Sequence, residues 1–147
     1  MRPLTLVLIA AALLAACSAP AATEPPTRAE QELDICEAVF RHQFENNASA
    51  AQQRAAAYFL SVRGKDPTPE FLARFAGDQP PVKAGSGFAT GKGLSFRVET
   101  IEWLSDGKVK VTGGYHEASL SASGNDYVVE RKGDAWVVTD DTMTWIS

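Results

Sequence analysis

Cys36 and His42 offer a thiol and a base, the pair that nucleophilic catalysis uses. Six residues apart on a helix, they stand roughly 120° apart around the axis and do not face each other. Cys36 also falls on an apolar stripe, where a thiol is inert. His42 and Glu45 share one helix face at i, i+3 and could supply two metal ligands. A stable site needs three or four, and the only other histidine is His116, so a solvated helix face is expected, with no metal and no other cofactor. Tyr115, His116 and Glu117 lie together in a strand-like segment, whose alternation sends Tyr115 and Glu117 to one side and His116 to the other. Asp140 and Asp141 are adjacent carboxylates without the spaced loop that calcium requires, which reads as a charged turn. Gly91-Lys92 invites comparison with a phosphate-binding loop. It fails: Ser86 stands where the first glycine belongs, and Gly93 replaces the Ser or Thr that holds magnesium. No catalytic set converges.

Composition narrows the field further. The chain has 147 residues, of which 22% are charged and 45% hydrophobic, as in an ordinary globular domain. Eighteen acidic against fourteen basic side chains give −4, and the basic ones are scattered among acids. Binding to a phosphate backbone needs clustered Lys and Arg, so nucleic acid is not an expected partner.

The N-terminus carries the strongest local signal. Arg2 precedes an apolar run from Leu4 to Ala16, broken only by Thr5. A dozen residues make a helix of roughly 18–20 Å, short of the ~30 Å hydrocarbon core, which fits a signal sequence rather than a membrane span. Leu14-Ala15-Ala16-Cys17 then resembles the lipobox of bacterial lipoproteins. The resemblance implies cleavage after residue 16, diacylglycerol on Cys17 and a stable membrane anchor, since multiple acyl chains hold where one does not. Residues 17–29 include Ser18-Ala-Pro-Ala-Ala-Thr-Glu-Pro-Pro-Thr27, a proline-stiffened tether that could reach roughly 30 Å from the lipid surface. Ser18 rather than Asp after the cysteine implies an outer-membrane destination, facing the periplasm. In an oxidising compartment Cys17 and Cys36 could instead form a disulfide; a thioether at Cys17 excludes that, and the residues around Cys17 favour lipidation.

Residues 30–147 should form one α+β domain. Thr27-Arg-Ala-Glu30 has the form of a capping box, and Leu33, Cys36, Val39, Phe40 and Phe44 trace one stripe of an amphipathic helix. Arg41, Gln43 and Glu45 take the other face, and Asn46-Asn47 end the helix. Residues 48–57 are Ala- and Gln-rich and could extend helically. Tyr58 to Val62 suits a buried strand. Thr68-Pro69-Glu70 starts a second, short helix that turns Phe71, Leu72 and Phe75 inward and stops at Gly77. Residues 78–93 read as a loop. From Leu94 the period becomes two, with a phase change near Glu99-Thr100 that predicts a bulge. Turns are expected at Ser105-Asp106-Gly107, Ser123-Gly124-Asn125 and Lys132-Gly133-Asp134. A break or bulge is expected at Asp140-Asp141. The result is an antiparallel meander of about four strands, covered on one face by the helices.

Helices followed by such a meander, ending in Gly133-Asp-Ala-Trp-Val-Val138, look like the cystatin-like and NTF2-like folds. In NTF2-like enzymes acid–base residues line a concave sheet, a role the resemblance offers to Tyr115 and Asp126. Trp103 and Trp136, with Trp145, are expected in the core; exposed together, they would mark a binding surface. The function expected is that of a lipid-anchored, non-catalytic domain binding an envelope protein or a small ligand through its sheet face or helix–sheet groove. The alternatives are an NTF2-like enzyme with a polar cavity and an envelope inhibitor or immunity-type lipoprotein.

Overall fold

Thr27 accepts the backbone N–H of Glu30 at 3.3 Å while the Glu30 carboxylate takes the Thr27 N–H at 2.7 Å, and this closed capping box starts helix α1 (Arg28–Asn46). In the computed structural model the residues described are 24–47, 55–118 and 121–147. The signal run, the Cys17 lipobox and most of the tether lie outside them, as do residues 48–54 of the expected helical extension. Ala55–Ala57, which end that stretch, are not helical.

Strand β1 (Tyr58–Val62) follows, then α2 (Pro69–Leu72), whose Thr68 cap accepts from the Phe71 N–H at 3.3 Å and which tightens into a 3-10 turn at Ala73–Phe75. Phe71 and Phe75 are buried, as their spacing predicts, whereas Leu72 is only partly covered. Next come β2 (Val82–Ala84), β3 (Leu94–Ser105), β4 (Lys108–Ala118), β5 (Ser121–Lys132) and β6 (Ala135–Ile146). They build one six-stranded sheet in the order β2-β1-β3-β4-β5-β6. The sheet is therefore larger than the four-stranded meander expected, and mixed: β1 pairs in parallel with both β2 and β3, while β3 to β6 pair antiparallel in succession. The parallel edge arises because the chain leaves β1, crosses through α2 and returns as β2 and β3 in the same direction. Strand β2 was hidden in the expected loop because three residues carry no readable alternation.

The turns at Asp106-Gly107 and Gly133-Asp134 stand where the sequence places them, and the β3 register slips between Val98 and Thr100, at the expected bulge. Strand β6 runs unbroken through Asp140-Asp141, with irregularities at Thr139, between the partners of Val128 and Val129, and at Thr144, between the partners of Gly124 and Asn125. One turn is wrong. Ser123-Gly124-Asn125 lies inside β5, and Gly124 is small for a different reason: a Cβ there would sit 2.1 Å from Nε1 of Trp145.

Helix α1 packs across the sheet over β3, β5 and β6. Its buried residues are Ile35, Cys36, Val39, Phe40 and Gln43, a stripe rotated from the one expected. Leu33 lies on the flank and is 40% exposed, while Gln43, assigned to the solvent side, is 5% exposed. Beneath the helix, Leu94, Phe96 and Val98 of β3, Val109 and Val111 of β4, and Tyr127 and Val129 of β5 complete the core. Such side chains contribute ~1.5–3 kcal/mol each on full burial. Arg74 clamps α2 to the helix through Asp34 at 2.7 Å and Glu37 at 3.1 Å.

Candidate functional site

The residue that stands out is Gln43, because a side-chain amide in the buried stripe of a helix must find partners or cost stability. Its Nε2 donates to the Tyr127 hydroxyl at 3.0 Å, to the Arg97 carbonyl at 3.3 Å and, at the limit, to the Gly114 carbonyl at 3.5 Å. Those three acceptors fix which end of the amide is nitrogen. Its Oε1 is buried with no hydrogen-bond partner, the only such side-chain atom among the described residues.

Gln43 sits in the wall of a pocket of about 100 Å³ between the C-terminal end of α1 and strands β4, β5 and β6. Asn46 comes from the last turn of the helix and Asn47 from its C-cap, Tyr115 from β4, Ser123, Asn125 and Tyr127 from β5, and Asp141, Met143 and Ile146 from β6. Strand alternation explains the choice: Ser123, Asn125 and Tyr127 are every second residue of β5, all turned to the helix side. The bulge at Thr139 keeps both Val138 and Asp141 on that side. His42, expected on a solvated face with Glu45, instead reaches across to Asp141, with Nε2 to Oδ2 at 3.0 Å. Asn46 flanks the same ring, and the ring meets Tyr127 edge-on at 5.8 Å. Asn125 donates to the other Asp141 oxygen at 2.7 Å and Ser123 donates to Asn125 Oδ1 at 2.8 Å. Burial pushes the Tyr127 phenol up to about 12, outweighing the hydrogen bond from Gln43, so it stays a neutral hydroxyl.

The residues singled out from sequence fare unequally. Tyr115 lines this pocket, with its hydroxyl 3.4 Å from Ser121 Oγ. Asp126 does not join it: next to inward-facing Tyr127, it points to the open face of the sheet and pairs with Lys110 at 2.7 Å. Convergence of Tyr115 and Asp126 in one acid–base cavity is thus not what the fold builds. Trp103 and Trp136 lie at the other end of α1, edge to face at 5.5 Å. Trp136 is buried; Arg28 stacks on Trp103 at 4.0 Å, and Trp103 Nε1 donates to Glu32 at 3.2 Å. They are packing residues, not a shared surface. His116 meets Phe88 edge-on at 5.5 Å on the open face. Cys36 is buried and its thiol is pushed up to about 12 by desolvation, which leaves no thiolate for nucleophilic work. No group of three or more His, Cys, Asp or Glu among the described residues could hold a metal. No described helix is long and apolar enough to cross a membrane.

Gln43 itself was missed. Its spacing carried the signal: it continues Cys36, Val39 and Phe40 by seven, four and three residues, so it occupies a core position by period despite its polarity. Comparison with known proteins adds no assignment: no family model, no curated protein and no solved structure matches the chain.

Proposed function

We propose that the chain is a lipid-anchored lipoprotein of the bacterial envelope whose α+β domain binds a ligand or partner in the groove between α1 and strands β4, β5 and β6. The observation that carries the binding reading is the Gln43 amide: its donor side is saturated, and its acceptor is left over on a side chain that lines a pocket of mixed polar and apolar character. Polar atoms buried without partners cost ~1–3 kcal/mol, and sites kept at such a cost are candidates for recognition. The Leu14-Ala15-Ala16-Cys17 motif supports the anchor and the envelope location, and Ser18 supports the outer membrane. A long helix laid over a largely antiparallel sheet supports the cystatin-like or NTF2-like resemblance, from which the parallel β1–β2 edge departs. The Tyr115 and Asp126 geometry favours binding over acid–base chemistry.

The test is in-cell photocrosslinking with a photoreactive residue at Asn47, in the groove, and separately at Asp126, on the open face. Adducts specific to position 47 are expected. Adducts at neither position, or equally at both, would contradict the groove as the binding surface.

A further inference from the structure

The groove's hydrogen-bonding inventory is lopsided. Most of its donor atoms are already engaged within the protein: Gln43 Nε2 as described, Asn46 Nδ2 on the His42 carbonyl at 2.9 Å, Asn125 Nδ2 on Asp141 and Ser123 Oγ on Asn125, while the Tyr127 hydroxyl accepts from Gln43 and keeps its own proton. What is left over is mostly acceptor capacity. Gln43 Oε1 has no partner, and the Asp141 carboxylate has lone pairs beyond the two contacts it receives. No Lys, Arg or His lines the pocket among the described residues, and Asp141 is the charged group in its wall.

From this inventory we infer that the groove takes a primary ammonium group on a short apolar stem. Ammonium is the common biological group that brings several donors and no acceptor, and Asp141 favours its positive charge over a neutral or anionic head. Two tyrosines line the pocket, and a cation is attracted to the face of such a ring. The pocket volume of about 100 Å³ matches roughly three waters at ~30 Å³ each, room for the head and one or two methylenes rather than for a large ligand. Met143 and Ile146, which line the pocket yet are 54% and 67% exposed, supply apolar cover for the stem. Gln43 Oε1 is closed off from solvent, so its cover must open as the ammonium reaches it. A free small amine and a lysine side chain of a partner protein share this chemistry. The inference rests on the groove being the binding surface.

The experiment is an NMR titration of the full-length protein in detergent with propylammonium chloride, 1-propanol, potassium chloride and an N-acetylated, C-amidated Gly-Lys-Gly peptide. Saturable shifts of the Gln43 side-chain amide with propylammonium, and none with propanol or potassium at the same concentration, are expected. Asp141→Asn should weaken the affinity at least tenfold, and Gln43→Met should abolish the saturable shifts that propylammonium gives in the Asn125 side-chain amide of the same pocket. If Gln43→Met does not fold, Asp141→Asn decides, because Asp141 is partly exposed and outside the core. Tighter binding of the peptide than of propylammonium assigns the group to a protein lysine; the reverse assigns it to a free amine. Propanol or potassium binding as well as propylammonium, or no saturable shift with any amine, overturns the inference. Crosslinks at position 47 surviving that failure would leave the groove as a site for another class of ligand.

Discussion

The Nε2 of Gln43 and the hydroxyl of Tyr127 stand 3.0 Å apart across the interface between α1 and β5, the shortest of the buried hydrogen bonds that tie Gln43 to the sheet. The hydroxyl is the acceptor here, so its own proton is available to a further partner. Because both groups are shielded from water, the pair couples the position of the helix to the shape of the pocket that it roofs.

Gln43→Leu removes the amide's bonds to Tyr127, Arg97 and Gly114 but also removes the unpartnered Oε1. The two effects oppose each other, and the net expectation is a loss of about 1 kcal/mol. Urea unfolding of both proteins measures it. A loss above about 3 kcal/mol would show that the amide is chiefly a structural post rather than a recognition group.

Two neighbouring glycines should behave differently. A Cβ on Gly114 would lie 1.9 Å from the Ser123 carbonyl oxygen, a backbone atom that cannot turn away. On Gly124 it would meet the Trp145 indole, which is 47% exposed and stacked only loosely over Arg97 at 5.6 Å. Gly114→Ala is expected to cost about 3 kcal/mol or more and Gly124→Ala about 1 kcal/mol, the latter with a change in tryptophan fluorescence. Equal costs would mean that Trp145 is held more firmly than its exposure indicates.

Such long-range contacts explain what could and could not be read from the chain. The Thr27–Glu30 box, the Thr68-Pro69 start, the Asp106-Gly107 and Gly133-Asp134 turns and the bulge after Val98 are all decided by residues within a few positions of each other. Gly124 looks like a turn residue in sequence, but its smallness answers to Trp145, far along the chain and opposite it in the sheet. The polarity of Gln43 points outward while its period points inward, and its carbonyl partners at Arg97 and Gly114 can be known only once the strands are paired. The same holds for His42 and Asp141, 99 residues apart. The groove is a product of strand register, which no local pattern encodes.

Alkaline pH should destabilise the fold in a defined window. Cys36 rises from an ordinary 9.0 to about 12 and Tyr127 from 10.0 to about 12, both chiefly through burial. Between the ordinary and the raised values the unfolded chain has released protons that the native chain retains. Stability is therefore intact below pH ~9 and falls as pH rises toward 12, by at most about 1.4 kcal/mol per pH unit for each group. Denaturant midpoints at pH 8, 10 and 11.5 should decline in the wild type and decline less in Tyr127→Phe and in Cys36→Ala. Parallel declines in all three proteins would remove these two groups as the cause.

The anchor has its own test. Cys17→Ser should leave the leader uncleaved or the protein soluble, with no labelled fatty acid incorporated, while the wild type is labelled and sediments with membranes. Unchanged labelling in the variant would refute lipidation at Cys17 without touching the groove.

The most direct measurement of the groove follows the Gln43 side-chain amide by NMR in protein taken gently from its own cells, and again after unfolding, dialysis and refolding. An occupied site predicts two different sets of resonances, with the first restored by adding back a cell extract. Identical resonances before and after, unmoved by the extract, would contradict a binding role for Gln43.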